Sequence, residues 1–354
     1  MAPLGLNLYE DEVRRVLPLW DVGGLVGLPG ERGGTANPAV VVDTPAGRFF
    51  LKRRNPRYSA PEMLRHDHAL MEHLARKGLC TPLAAPTQEG PRWAVVEGQV
   101  YELYPYLPGA AHDPESEAQL REAGRKLAEF HAAAGDFHAP PGKGWPRYHD
   151  PANSVAGLEW AEALVRDQSG PTPGGRERDE ALREVTELLS LVRGLAQDFP
   201  DAAYWGARVV MVHGDWHPGN VKYEGDRISG IFDLDWATRQ PLLVDLADGV
   251  MYFAGRRPGG LDATDIRTLT RAFVLDADRT RVFLEGYRAT GTLGTEEIAA
   301  LPRFLLARWL YSRVDPMRRK IPPTEAIDYL LAGIWGPVEA IRRLASATVW
   351  DPET

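Results

Sequence analysis

Residues 209–237, VVMVHGDWHPGNVKYEGDRISGIFDLDWA, form an island of strand-type sequence inside a long stretch patterned for helices. The apolar run Val209–Val212 breaks at His213-Gly214-Asp215. Pro218-Gly219 then excludes a helix, because proline lacks the amide donor and clashes with the preceding turn. The stretch that follows, NVKYEGDRISGIFD, has the form of a hairpin turning at Glu224-Gly225-Asp226, so Asn220 enters one strand and Asp233 leaves the other. Any fold that accepts this segment brings Asp215, Asn220 and Asp233 to the same end of one hairpin. Two carboxylates and an amide carbonyl converging there suit a hard cation, because Mg²⁺ prefers carboxylates, amide oxygens, water and substrate phosphates.

The rest of the chain frames this island. Asn7 can cap a short helix through Leu17, and strands are expected near 20–27, 38–43 and 48–53, separated by Gly and Pro. Residues 60–78 place Met63, Leu70, Met71 and Leu74 on one helical stripe that stops at Gly78. Residues 92–109 read as a second hairpin with Glu97-Gly98 at its turn and an exit strand ending at Pro105. Beyond 106 the period is helical, at 114–134, 155–167, 178–196, 241–254, 262–275, 279–290, 296–314 and 324–346. Two Pro/Gly-rich loops, 139–154 and 168–179, are long enough to act as lids. The expected chain is α+β with two lobes: a small antiparallel sheet plus one helix over 1–105, and a larger helical lobe over 106–354.

A formal net charge of −8 argues against a nucleic-acid partner, since backbone binding needs a basic face. The single cysteine, Cys80, excludes an intramolecular disulfide and a Cys-based zinc pattern. The N-terminal residues are acidic where a signal peptide would be apolar, and no run reaches about 18 apolar residues. A cytoplasmic protein without a membrane partner is expected, and its oligomeric state is not legible.

The Asp-x-x-x-x-Asn spacing of HGDWHPGN, residues 213–220, has the form of a kinase catalytic loop. Together with IFDLDWA (231–237) and VDLAD (244–248), it resembles the H-G-D-x-H-x-x-N, I-D-[FWL]-[DE] and D-L-A elements of the aminoglycoside phosphotransferase and choline kinase-like family. That family includes type II homoserine kinases and spore-coat kinase-like proteins. The resemblance covers most of the chain and is strongest over 209–249. It implies a bilobal protein-kinase-like fold, ATP and Mg²⁺ as cofactors, and transfer of the γ-phosphoryl group to a hydroxyl of a small molecule. It makes Asp215 the catalytic base and Asn220 and Asp233 the metal ligands. The segment GGTAN (33–37), with the strand ending in LKR (51–53), resembles the family's phosphate-binding strand pair. Lys52 is then the phosphate contact, Gly33 and Gly34 let the backbone approach the phosphates, and Asn37 is a further nucleotide contact. In the family the next helix supplies a glutamate to pair with the lysine. The nearest match here is Asp67, flanked by Glu62 and Glu72, so either the helix shifts or Lys52 is oriented by another group. ELYPYLPG (102–109) resembles the hinge, where backbone groups of Tyr104 and Tyr106 would bond a purine. His213 is expected to brace the loop, Asp235 to assist a second metal or cap a turn, and Asp245 to tie the following helix to the catalytic loop.

Other activities compete with this one. His213 and His217 stand four apart as in H-E-x-x-H, the zinc hydrolase motif, although Gly214 replaces the glutamate and Pro218 opposes the helix. The missing helix glutamate motivates a nucleotide-binding regulator, and a protein Ser/Thr kinase is a further alternative. Basic and acidic side chains balance over 240–354, so no acidic field marks a polycationic acceptor and a small neutral or zwitterionic alcohol fits better. Arg318, Arg319 and Lys320 either attract an anionic acceptor or solvate a helix end. Trp205, Trp216 and Trp236 read as packing.

Overall fold

The computed structural model describes residues 8–346, except 31, 34, 35, 169 and 263. The β-branched run Val40-Val41-Val42 forms β2 (Ala39–Thr44), which pairs with β3 (Gly47–Arg53) across a tight turn. The hairpin of β4 (Ala94–Val96) and β5 (Gln99–Pro105) turns through Glu97 and Gly98, both at positive φ, as a tight hairpin turn demands. With β1 (Arg32–Gly33) these strands make one antiparallel sheet in the order β1-β2-β3-β5-β4. Helix α1 (Glu10–Val16) seats Val13 and Val16 in a small core with Trp20, Val42, Leu51 and Leu103. The expected cap Asn7 lies outside the described residues. The strand expected at 20–27 does not form: the chain bends at Gly23, φ +80°, and only Gly27 bridges to Asp43.

Helix α2 (Pro61–Arg76) buries Leu70, Met71 and Leu74 in the larger core that fills the helical lobe, and buries His66, Asp67 and His68 on the same side. The helical lobe contains α3 (Glu117–Ala133), α4 (Pro151–Asp167), α5 (Arg178–Asp198), α6 (Asp201–Trp205), α7 (Leu243–Gly249) and α8 (Ile266–Leu269). It continues with α9 (Ala277–Arg288), α10 (Thr295–Arg319), α11 (Ala326–Leu331) and α12 (Trp335–Ser346). Helices α3 and α9 touch backbone to backbone, because a Cβ on Gly124 or Gly286 would overlap the facing carbonyl of Phe283 or Arg121. Helix α7 is buried on every side and continues as a π-helical turn, Val250–Ala254. Only α8 forms within the helix expected at 262–275. There Asp262 and Asp265 bond nearby amides and the Thr268 hydroxyl bonds both their carbonyls, competing with helical bonds. The helix expected at 324–346 is split at Gly333, which has φ +65°.

The island forms β6 (Val209–Val212), a hairpin of β7 (Val221–Glu224) and β8 (Arg227–Ile231), and β9 (Thr238–Pro241), which returns to pair with β6. Among the described residues no helix is long and apolar enough to cross a membrane.

Candidate active site

The loop leaving β6 depends on Gly214. Its φ is +82°, and a Cβ there would lie 2.6 Å from the Trp236 carbonyl oxygen, so any side chain would push the loop off the segment after β8. Asp245, in the first turn of α7, holds the loop amides: the His213 N–H donates to its Oδ2 (2.7 Å) and the Gly214 N–H to its Oδ1 (2.8 Å). His131 Nε2 contacts the same carboxylate at 2.9 Å. His213 is buried, with Nε2 2.9 Å from the Phe232 carbonyl and Nδ1 3.3 Å from the Asp215 amide. Those partners require a donor at Nε2 and an acceptor at Nδ1, which is the neutral ring, and burial pushes its pKa down accordingly. Both nitrogens are spent bracing the loop, and Pro218–Asn220 is a 3₁₀ turn, so the helical His pair of a zinc hydrolase does not exist here.

Asp215 reaches the cleft half-buried. Its Oδ2 accepts from Asn220 Nδ2 (3.2 Å) and lies 3.3 Å from His217 Nε2, while Oδ1 is 3.9 Å from Arg308 Nη2. Burial pushes this carboxyl up, but His217 and Arg308 more than offset it and hold it well below the usual carboxylate range. Asn220 also donates from Nδ2 to the Asp215 carbonyl (2.9 Å), which leaves its amide Oδ1 without a donor among the described residues. Asp233 sits in the left-handed region, φ 59° and ψ 69°, a conformation Asp tolerates better than most residues. From there its Oδ1 accepts from Lys52 Nζ at 2.9 Å. Asp235 is buried, accepting from Lys52 Nζ (2.9 Å) and Asn37 Nδ2 (2.9 Å), with Arg54 Nη1 at 3.1 Å. Burial alone would lower the Lys52 pKa, but the two carboxylates raise it well above its ordinary value.

Lys52 is therefore oriented by Asp233 and Asp235 across the cleft. Asp67 does not meet it: the Asp67 carboxylate is fully buried between Arg54 Nη2 (2.7 Å) and Lys143 Nζ. The reason is strand parity. Lys52 and Arg54 are two residues apart and project to one face, where the guanidinium stands between the carboxylate of α2 and Asp235 while the ammonium meets Asp233 and Asp235 of the opposite lobe. Glu102, opposite Lys52 on β5, lies 3.2 Å from Arg54 Nη1 and 2.8 Å from His68 Nε2. Asn37 borders the cleft, but both ends of its amide serve the protein, Nδ2 on Asp235 and Oδ1 accepting from the Asn55 amide (2.8 Å). Gly33 lies in β1 opposite Ala39, and Gly34 lies outside the described residues.

The backbone at the expected hinge is partly engaged within the sheet. The Tyr106 amide donates to Arg48 (3.1 Å) and the Arg54 amide to Val100 (2.9 Å), which fixes the even-numbered residues of β5 as the ones bonded to β3. The backbone groups of Tyr104 and Tyr106 that face β3 are consequently spent inside the sheet. The carbonyl of Pro105 and the amide of Leu107 point the other way, on the side where the Leu103 carbonyl accepts from Ala85.

Neither Pro/Gly-rich loop borders the cleft. The first is a strap: Lys143 is buried on Asp67 and the Asp235 carbonyl (3.0 Å), and Trp145 stacks on Trp236 at 5.7 Å. The second is pinned by Asp328, which accepts from the Thr172 hydroxyl and the Gly174 amide. The cleft itself, about 1040 Å³, runs from Phe50 and Tyr104 past Lys52 and Asp215 to Tyr252 and Arg257. Arg54, Lys143, Arg257 and Arg308 escaped the sequence reading. The period-two placement of Lys52 and Arg54 was a usable signal for the first, whereas Lys143, Arg257 and Arg308 carry none that separates them from surface cations.

Comparison with known proteins agrees with this geometry. The profile of the group described as "Phosphotransferase enzyme family" matches residues 31–282. A homoserine kinase of Rhizobium meliloti (strain 1021) is 28% identical over 335 residues, 92% of this chain and 91% of that protein. An amicoumacin kinase solved with AMP-PNP, Ca²⁺ and its antibiotic superposes with a TM-score of 0.60 at 14% identity, over 98% of this chain and 96% of that one. A microcompartment-associated aminopropanol kinase gives 0.59 at 15% identity, over 94% and 98%. The structural likenesses show a shared kinase-like fold of a sheet lobe and a helical lobe.

Proposed function

Because the chain belongs to the phosphotransferase enzyme family, we propose that it moves the γ-phosphoryl group of ATP, taken with Mg²⁺, to a hydroxyl of a small molecule bound in the cleft. The observation that carries this is the Asp215 carboxylate on the cleft wall, held by Asn220 within one loop, with the Lys52–Asp233 pair lining the same cleft. Phosphoryl transfer asks the protein mainly for position and charge neutralisation, and these side chains supply both.

Asp215 takes the proton as the acceptor oxygen bonds to the γ-phosphorus, and the bond from that phosphorus to the β,γ-bridging oxygen breaks to release ADP. Arg308 and His217 keep Asp215 ionised and fixed for that contact. Lys52 has three ammonium donors, two of them on Asp233 and Asp235, which leaves one for a nucleotide phosphate. The free amide oxygen of Asn220 and the exposed edge of Asp233 fit a hard cation; they would hold Mg²⁺, which neutralises charge on the β- and γ-phosphates. The outward carbonyl of Pro105 and amide of Leu107 suit a purine edge. The absent helix glutamate had motivated a catalytically idle regulator, and the anchoring of Lys52 by Asp235 removes that motive.

The test is Mg²⁺-dependent ATP consumption with a panel of alcohols, run beside Asp215→Asn. Turnover should fall by about 10²-fold or more in the variant while nucleotide affinity is kept. Equal turnover in both proteins would take Asp215 out of the base role, and no turnover with any alcohol would count against phosphoryl transfer.

A further inference from the structure

In the cleft that Asp215 lines, Arg257 is held by a carbonyl and two aromatic rings. Its Nη1 donates to the Met251 carbonyl (2.8 Å), and its guanidinium lies over the rings of Tyr252 (4.7 Å) and Phe273 (5.2 Å). The opposite edge of the guanidinium, Nε and Nη2, is shielded from solvent and has no hydrogen-bond partner. Among the described residues no carboxylate pairs with it. Neighbouring Arg256 is spent on Glu115 at 2.7 Å, and Arg308 on Asp248 and the Tyr252 hydroxyl. Burial without an opposing charge pushes the Arg257 pKa below its ordinary value.

Nε–H and Nη2–H are the two parallel donors of the side-on fork that a carboxylate fills with both oxygens. Leaving two buried donors open is costly, and a protein that fixes them with two aromatic rings and a carbonyl is shaped to receive an acceptor there. The fork is also correctly placed. Tyr252 separates it from the catalytic loop, with Arg257 Cζ at 4.7 Å and the His217 ring centre at 5.5 Å from the Tyr252 ring, and His217 touches Asp215. Arg257 and His217 thus contact the same ring on the wall of one cleft that Asp215 also lines, an arrangement that suits an acceptor carrying its anchoring group and its reacting hydroxyl at opposite ends.

We propose that Arg257 binds a carboxylate of the phosphoryl acceptor, making the acceptor a short-chain hydroxy acid or hydroxy amino acid. This rests on the phosphotransferase function proposed above. A single free fork, with Glu115 and Asp262 also on the cleft wall, matches a monoanion better than a dianionic phosphate. Amino alcohols, neutral sugars and polycations leave the fork empty.

The experiment compares three probes that share a primary hydroxyl: homoserine, 4-hydroxybutyrate, which lacks the ammonium, and 3-aminopropan-1-ol, which lacks the carboxylate. Glycerol 3-phosphate is added as a dianion. ATP consumption and calorimetric binding are measured for each with the wild-type protein, Arg257→Lys and Arg257→Met. The expected pattern is use of homoserine and 4-hydroxybutyrate, with KM rising about 10- to 100-fold in Arg257→Met, less in Arg257→Lys, and KM for ATP unchanged. Preference for 3-aminopropan-1-ol, preference for the phosphate, or carboxylate use that Arg257→Met leaves intact would each overturn the assignment while sparing the kinase function. Absence of turnover and binding with the carboxylate probes, when another alcohol supports Mg²⁺-dependent ATP consumption, overturns it as well. Absence of any ATP consumption fails the underlying phosphotransferase function instead, and calorimetric binding of 4-hydroxybutyrate that Arg257→Met abolishes would still uphold the carboxylate site.

Discussion

Replacing Asp67 by Asn separates two accounts of how Lys52, the proposed phosphate contact, is held. If a carboxylate on α2 oriented Lys52, the change would weaken ATP binding and leave the fold alone. The structure makes the opposite forecast. Asp67 has no exposed side-chain surface and pairs with both Arg54 and Lys143, so the isosteric amide keeps volume while taking the paired carboxylate from buried Lys143 and leaving Arg54 with Glu102 and Asp235. Removing one partner of a buried ion pair costs about 3–5 kcal/mol. For a chain of 354 residues, unfolding entropy of about 2 cal/mol/K per residue turns that into a melting point lower by roughly 4–7 °C. KM for ATP should stay within about twofold, whereas Asp235→Asn, which strips a carboxylate from Lys52, should raise it by about tenfold. The pH dependence has a definite sign. Burial pushes the Asp67 carboxyl up, but Lys143, His66 and Arg54 leave it lowered, so its stabilisation is present above the unfolded value and lost as pH falls through the folded one. The melting difference between wild type and Asp67→Asn should be full at neutral pH and shrink below about pH 4. An Asp67→Asn protein that melts like wild type but binds ATP poorly would refute the parity argument.

Asp233→Asn should abolish the Mg²⁺-dependent part of nucleotide binding in calorimetry while melting close to wild type, because Asn also tolerates the left-handed backbone there; unchanged Mg²⁺ dependence would place the metal elsewhere. Leu107→Pro removes one outward amide at the hinge and should weaken ATP binding by about 5- to 10-fold, the worth of one hydrogen bond. Unchanged ATP affinity in Leu107→Pro would take the purine contact away from the Leu107 amide.

The path of the loop proposed as catalytic was legible because it is local: Asp215, Asn220 and Asp233 lie within one loop and one hairpin, and the Pro-Gly break and the Glu-Gly-Asp turn fix that path. The two-lobed pattern was legible for a similar reason, since period two and period 3.6 are properties of short windows. What the sequence does not record depends on register. Whether the backbone groups of Tyr104 or of Pro105 turn away from β3 is decided by which residues of β3 oppose β5, and a shift of one position exchanges them. The choice of Lys52 partner depends on the spacing of two lobes, which no local pattern records. The Asx turns at 262–265 looked helical because their apolar spacing was right while their side-chain bonds were invisible.

The double anchoring of Lys52 bears on the proposed metal role of Asp233. A buried ammonium loses several kcal/mol when its sole counter-ion is taken away. Lys52 has two, and they differ: Asp233 is the more exposed, at 31% of its side chain, and Asp235 is closed off at 1%. Asp233 can therefore turn one oxygen to a cation without stranding the lysine, because Asp235 remains fixed by Asn37 and Arg54. One aspartate is built to exchange partners and the other to stay. This division keeps Lys52 oriented in a chain without a helix glutamate at this place, as its proposed nucleotide role requires.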